Sequence, residues 1–296
     1  MKSVLITGCG KGGIGEALAL QYHARGFTVL ATLLPSESKE HLLSVGITCF
    51  ELDVTNEESV SVLRKAVEEI GDRLDILVNN AGICYTMTAI DTDVHQVQQM
   101  FNVNVFGPMR MVHAFHPFLI KAKGCIINIG SVGGIVPYMY GSSYNASKAA
   151  LHHWGNTLRV EMSPFNVRVI NIISGNIGTN ILHRDASRSL PKGTLKIADR
   201  NLQSQPSLTE PDSFYTPLQE EFQAHVKRIP NTTDRMVYAN SVVQQSLRRC
   251  PPAWYWVGNT SSIVWFMDVF GFRTVWDYVQ WPVFNLGKLK RAALSN

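Results

Sequence analysis

The stretch that decides the fold is Ser3-Val4-Leu5-Ile6-Thr7-Gly8-Cys9-Gly10-Lys11-Gly12-Gly13-Ile14-Gly15. Ser3 to Thr7 reads as a short buried strand and Glu16 to Arg25 as a helix, with a glycine-rich turn between them. In that order, glycines let the backbone approach a pyrophosphate closely. The helix N-terminus adds free N–H groups and a partial positive charge. Gly8, Lys11, Gly13, Ile14 and Gly15 are therefore candidate cofactor contacts.

The alternation continues downstream. Gly26 ends the first helix and Phe27 to Leu34 forms the next strand. A dinucleotide fold commonly places a carboxylate at the end of this strand for the ribose 2′-hydroxyl of NAD. Here the strand runs out as Leu33-Leu34-Pro35-Ser36, Glu37 comes late, and Lys11 and Lys39 lie close by. A missing acid with lysines at hand points to NADP(H), whose extra phosphate needs a cation; NAD(H) stays open. Ile47 to Asp53 makes a third strand, with Asp53 and Val54 at its end as candidate contacts for the adenine side. Thr55 and Glu58 form a capping box for a helix that stops near Gly71. Leu74 to Val78 is a further strand, ending in Asn79-Asn80-Ala81-Gly82, of which Asn80, Ala81 and Gly82 are candidate cofactor contacts. Strands and helices in this rhythm imply an α/β architecture: a Rossmann-type, doubly wound parallel sheet with helices on both faces.

Chemistry concentrates in the second half, around Gly141-Ser142-Ser143-Tyr144-Asn145-Ala146-Ser147-Lys148. If this segment is helical, Tyr144 and Lys148 share one face. A cation beside a phenol favours the phenolate and lowers a pKa otherwise near ~10. A tyrosine so placed can exchange a proton near neutral pH.

Taken together, the chain resembles the short-chain dehydrogenase/reductase family over roughly residues 1–180. The signatures stand in order: the glycine turn at 7–15, Asp53, Asn79-Asn80-Ala81-Gly82, Asn104, Ser131 and Tyr144-x-x-x-Lys148. The resemblance implies that Tyr144 passes a proton to a carbonyl oxygen or takes one from an alcohol. Lys148 would assist it and bind the nicotinamide ribose, Ser131 would polarise the substrate oxygen, and Asn104 would hold a relay water. Ile177 and Thr179 would contact the carboxamide and phosphates. Three features depart from the family pattern. The glycine turn is one residue longer than the commonest spacing, Leu34 stands where NADP-preferring relatives often carry arginine, and Ser174 replaces a proline. The last should leave its loop less restrained. Within the family, the likeness is to a fungal group similar to 1-acyldihydroxyacetone-phosphate reductase, with some likeness to 17β-hydroxysteroid dehydrogenases in Gly130-Ser131-Val132-Gly133-Gly134. The implied activity is hydride transfer to or from a hydrophobic ketone or alcohol of lipid, steroid-like or secondary-metabolite type. A redox-neutral isomerase using the same site and a non-catalytic lipid-surface protein are the rival readings.

Composition narrows the classes. With 45% hydrophobic and 17% charged residues among 296, the chain is globular rather than disordered in character. A net charge of +4, with its lysines and arginines scattered, argues against nucleic acid as a partner. The five cysteines show no CxxC or metal-like spacing, and four of them fall in or beside apolar strand-like runs and read as small buried thiols, so no metal site and a reducing, cytoplasmic setting are expected.

Two segments fall outside the alternation. Residues 180–235 are polar and proline-punctuated, and follow directly on Thr179, so a substrate lid is expected there. Met236 to Arg249 reads as a helix and Trp254 to Val257 as an edge strand, closing a catalytic domain at about residue 258. Residues 259–296 form an aromatic-rich extension ending in Lys288, Lys290 and Arg291. It could cover the pocket, form a homodimer or homotetramer contact, or lie against a membrane or lipid droplet. Asp268, Arg273 and Asp277 interrupt it too often for a spanning helix.

Overall fold

The computed structural model describes residues 1–183, 185–192, 212–272 and 274–294. Its first two-thirds alternate as expected. In chain order they run β1 (Ser3–Ile6), α1 (Ile14–His23), β2 (Thr28–Leu33), α2 (Glu40–Leu43), β3 (Thr48–Glu51), α3 (Glu57–Ile70) and β4 (Ile76–Asn79). There follow α4 (Val94–Phe101), α5 (Gly107–Ala122), β5 (Cys125–Ile129), α6 (Ser142–Met162) and β6 (Arg168–Ser174). The remainder is α7 (Gln219–Lys227), α8 (Arg235–Ser246), β7 (Trp254–Val257), α9 (Ser261–Phe270), α10 (Val275–Val283) and α11 (Leu286–Leu294).

The seven strands form one sheet in the order β3-β2-β1-β4-β5-β6-β7, and every pairing is parallel. A parallel sheet covered on both faces needs strands that are predominantly apolar, and β1, β4, β5 and β6 are, each with only one to three polar residues. Alternate residues face opposite ways. Val4 and Ile6 pack with Leu18 and Tyr22 of α1 and Tyr238 and Val242 of α8. Leu5, Leu77 and Ile126 pack with Leu63 of α3, Phe115 of α5 and Leu158 of α6. Strand order reverses between β1 and β4, which opens a crevice at the carboxyl ends of the strands.

Two local expectations change. The cap of α3 is Asn56, whose Oδ1 accepts the Ser59 N–H at 3.1 Å, rather than Thr55. Thr55 instead gives its N–H and hydroxyl to Asp53 Oδ1, at 2.8 and 2.7 Å. Ser174 is not a loosened stand-in for proline. It ends β6, is buried, and its hydroxyl lies 2.6 Å from that of Tyr238, so a hydrogen bond supplies restraint that a ring would otherwise give.

A buried asparagine ladder crosses three strands. Asn79 Nδ2 donates to Asn128 Oδ1 at 2.9 Å, and Asn128 Nδ2 to Asn171 Oδ1 at 3.1 Å. Asn171 Nδ2 then donates to the His152 carbonyl of α6 at 3.0 Å. Buried side-chain networks of this kind favour one arrangement, although here Asn79 Oδ1 at the ladder's end has no hydrogen-bond partner among the described residues. This one sets the height of α6 over the sheet.

Beyond β6 the chain covers the crevice. Phe222 and Val226 of α7, Tyr138, Tyr140, Phe284 and Leu286 form a third, separate apolar cluster. Lys288 Nζ on α11 reaches Glu221 Oε1 at 3.0 Å. Among the described residues no helix is long and apolar enough to cross a membrane. Residues 193–211 of the expected lid lie outside the described residues.

Candidate active site

One cavity of about 750 Å³ runs from the glycine turn to the start of α6. Its floor is backbone. Thr7 Oγ1 accepts the N–H groups of Asn80 and Ala81 at 2.9 and 3.0 Å, while Asn80 Nδ2 donates to the carbonyls of Thr7 and Gly8. These bonds lock the turn after β1 to the end of β4. Gly8 has φ +71°, and an added Cβ would stand 2.9 Å from Ala81 Cα. At Gly15 a Cβ would overlap the Gly8 carbonyl. The turn is therefore closed to side chains at both positions. No side chain caps α1, so its N-terminal N–H groups are left for a ligand.

The turn's Gly8, Lys11, Gly13 and Ile14 line this cavity, as do Asp53, Val54, Asn80, Ala81, Gly82, Ile177 and Thr179. Gly15 lies behind, holding the turn's shape. A bare phosphate cradle, uncapped helix start and elongated cavity fit a dinucleotide. The acid expected to be missing beyond β2 is present in space. Glu37 folds back so that Oε2 accepts the Leu34 N–H at 3.0 Å, and its carboxylate lies over Gly10. Lys39, counted toward NADP(H), is engaged by Glu51 at 2.7 Å. Of the two lysines, Lys11 alone lines the cavity.

At the other end, α6 presents Tyr144, Lys148 and His152 at successive turns. Lys148 Nζ donates to the Ile129 carbonyl at 2.9 Å and stands 5.8 Å from the Tyr144 ring centre. Ser131 caps a short 3₁₀ turn, its Oγ accepting the Gly133 N–H at 3.0 Å. A Cβ placed on Gly133 would lie 3.2 Å from Tyr144 Cε1 and 3.3 Å from Ser131 Oγ, so the two side chains border the same space. Asn104 is wholly buried on a π-helical turn, Asn102–Phe106, between α4 and α5. Its amide clasps the Ile83 backbone with two bonds of 2.9 Å and donates to Ser147 Oγ at 3.1 Å. A Cβ placed on Gly82 would lie 3.4 Å from Asn104 Oδ1 and 3.7 Å from Lys148 Nζ, so both groups border the same space. The structure thus gathers all four residues.

The electrostatics differ from the sequence expectation. Burial pushes the Tyr144 phenol up to about 12, with Ser131 pulling the other way. The expected lowering by Lys148 does not appear; its ammonium is hydrogen-bonded to the Ile129 carbonyl of β5. Burial alone brings Lys148 down to about 8. At neutral pH the pair is a protonated phenol beside a cation.

Side chains from late in the chain close the substrate side. Ile181, Asp185, Val226 and Arg228 line it from the segment expected to be a lid, and Ile263, Trp276, Val279 and Val283 from the extension. Asp185 Oδ2 accepts the Thr86 N–H at 2.8 Å and its Oδ1 pairs with Arg188 at 3.0 Å. Sequence reasoning missed Asp185, Arg228 and Gln280, for no motif marks them. It missed His152 as well, although its spacing of four from Lys148 was available. The five cysteines form no disulfide: Cys9 and Cys125 are buried, Cys49 and Cys84 partly so, and Cys250 is exposed. Among the described residues no cluster could hold a metal ion.

Comparisons with known proteins agree with this geometry. The family profile of short chain dehydrogenases matches residues 2–189. The short-chain dehydrogenase virD of Hypocrea virens is 57% identical, covering 100% of this chain and 96% of its own. An NADPH-dependent 1-acyldihydroxyacetone phosphate reductase of Schizosaccharomyces pombe is 44% identical over 67% of this chain and 65% of its own. Among solved structures, a short-chain dehydrogenase from Streptomyces avermitilis superposes with a TM-score of 0.73 at 24% identity, covering 98% of this chain and 97% of that one.

Proposed function

The chain belongs to the short-chain dehydrogenase/reductase family, and from that premise we propose that it reduces a hydrophobic ketone, or oxidises the matching alcohol, with NADP(H). The observation that carries the reading is the meeting of Ser131, Tyr144 and Lys148 on one wall of the cavity whose other end is the phosphate cradle. The dinucleotide carries the hydride when bound; everything else falls to this chain. Ser131 and Tyr144 hydrogen-bond one substrate oxygen. The buried phenol keeps its proton at neutral pH, which suits donation to an oxygen that is gaining negative charge. The Lys148 charge stabilises the phenolate left behind. Asn104 holds the loop at Ile83 and, as a proposal, borders the water path by which Lys148 is resupplied with protons. The apolar lining from Ile181, Val226, Trp276 and Val279 favours a lipophilic substrate.

Preference for NADP(H) draws on Lys11 in the cavity and on the NADPH-dependent relative, against the carboxylate of Glu37. The decisive test is Tyr144→Phe assayed with a panel of lipophilic ketones. NADPH oxidation should fall by about 10²–10⁴-fold while NADPH binding, read by fluorescence, persists. Unchanged turnover in that variant would sink the mechanism.

The proposal extends to where the substrate comes from. Ile263, Phe266, Val269, Phe270, Tyr278 and Val283 are exposed on α9 and α10, and Ile263 and Val283 also line the cavity. An apolar surface continuous with the cavity mouth, followed by Lys290 and Arg291, suits an anionic lipid surface. Flotation with anionic vesicles should carry the parent protein upward and leave a Phe266→Ser/Phe270→Ser variant behind; equal flotation of the two, or of neither, removes this part.

A further inference from the structure

His152 sits on α6 one turn beyond Lys148, buried and outside every role assigned above. Its Nε2 accepts the backbone N–H of Ser131 at 3.2 Å. The loop that carries Ser131 is shaped around the imidazole. A Cβ on Gly130 would overlap Nε2, and one on Gly134 would stand 2.6 Å from Cε1 and 2.7 Å from Nδ1. The indole of Trp254 on β7 closes a further side, with ring centres 5.4 Å apart. The His152 backbone is pinned as well, its carbonyl accepting from Asn171 Nδ2 at the end of the asparagine ladder.

We infer that His152 is a positioning residue whose Nε2 fixes Ser131 opposite Tyr144. This rests on the reading above in which Ser131 holds the substrate oxygen. Ser131 and Tyr144 belong to different elements, so their spacing depends on how the loop after β5 is registered against α6. Lys148 ties α6 to the last carbonyl of β5, and His152 ties it to the loop itself. The two bonds, one turn apart on the helix, hold Ser131 between them.

The chemistry of the site agrees. To accept from an N–H, Nε2 must be bare, which puts the ring proton on Nδ1. That atom is buried and has no hydrogen-bond partner among the described residues. An orphaned donor is a cost that leucine in the same space would not carry, so packing alone gives no reason for histidine. Burial and the neighbouring Lys148 charge push the imidazole down to about 3, and the acceptor therefore survives throughout the physiological range. No carboxylate is among the influences on it.

The experiment compares His152→Leu, His152→Asn and His152→Gln with the parent, each checked for folding by circular dichroism and for NADPH binding. Leucine removes the acceptor, and asparagine is too short to present one at the Nε2 position. A glutamine amide oxygen reaches it. The expected result is a fall in kcat of about 10–100-fold for Leu and Asn, the size expected of a small misplacement of a catalytic group. KM should change little, and Gln should return kcat to within about threefold of the parent. In a Ser131→Ala background, His152→Asn should cost almost nothing further, since two residues acting through one contact are not additive. Parent-like kcat in the Asn variant, or additive losses in the double variant, would overturn the inference. If Ser131→Ala itself left turnover intact, the proposed role of Ser131 would fail instead, and the two failures are thereby told apart.

Discussion

The two ends of the cavity are built from different material. The phosphate end is almost all backbone: a turn with no room for a Cβ at Gly8 or Gly15, an uncapped helix, and Thr7 and Asn80 bonding main-chain atoms. The substrate end is almost all side chain, brought from residues as far apart as Tyr138, Val226, Trp276 and Val283. Backbone geometry tolerates few sequences, whereas an apolar wall can be assembled from many. A cofactor shared across a family needs the first kind of site; a substrate that differs between members suits the second.

This contrast is open to attack, beginning with its firmest part. Gly15→Val places a branched side chain against the Gly8 carbonyl and should abolish dinucleotide binding, a loss of more than about 100-fold with destabilisation of about 1–3 kcal/mol from overpacking. Titration of NADPH by fluorescence and thermal melting read the two effects. Retained affinity would mean that the turn is not the cradle. At the other end, Trp276→Ala should raise KM for lipophilic ketones by about tenfold through lost apolar contact while leaving NADPH affinity unchanged. A parallel loss of both would show that the two ends are not separable. Glu37→Gln probes the edge of the backbone end. Removing one negative charge from beside the 2′-position should shift the NADPH/NADH affinity ratio by about five- to tenfold toward NADPH, and a ratio that stays constant would place the 2′-group elsewhere.

The smallest effect is on stability. Lys148 has a folded pKa of about 8 against 10.5 unfolded, so the folded state binds fewer protons between those values. Stability from this group therefore rises as pH increases from about 8 to 10.5, and below that window the buried charge is a constant cost. Lys148→Met removes the group. Its thermal midpoint should exceed the parent's at pH 7, and the gap should narrow toward pH 10. A gap that does not change with pH would mean that the ammonium is well solvated.

Much of this was visible in the residues. The alternation from Ser3 to Ile173 depends on local periodicity and on turns that only glycine or Asn-Gly-type residues make, so the doubly wound sheet follows from short stretches read one at a time. Tyr144 and Lys148 could be found in the same way, through helical spacing, whereas Asn104 and Ser131 were marked by the family resemblance. Glu37 could not be placed by counting, because whether a carboxylate four residues past the end of β2 turns back depends on the turn at Pro35. The cap of α3 shows a smaller version of this: Thr55 and Asn56 both suit the position, and the bond from Thr55 to Asp53 decides between them.

What the sequence by itself determined was the order of the strands' chemistry: a glycine turn that no side chain can enter, a tyrosine and lysine one helical turn apart, and a tail too often charged to span a bilayer. These are properties of neighbours in the chain, set by sterics and by helical and strand periods. Tertiary structure alone decided that burial raises the Tyr144 phenol, that His152 meets the Ser131 N–H, and that α10 brings Trp276 and Val279 to the cavity's lining. Each of those depends on desolvation or on contacts across long stretches of chain, whose energies are fixed only when the elements have packed.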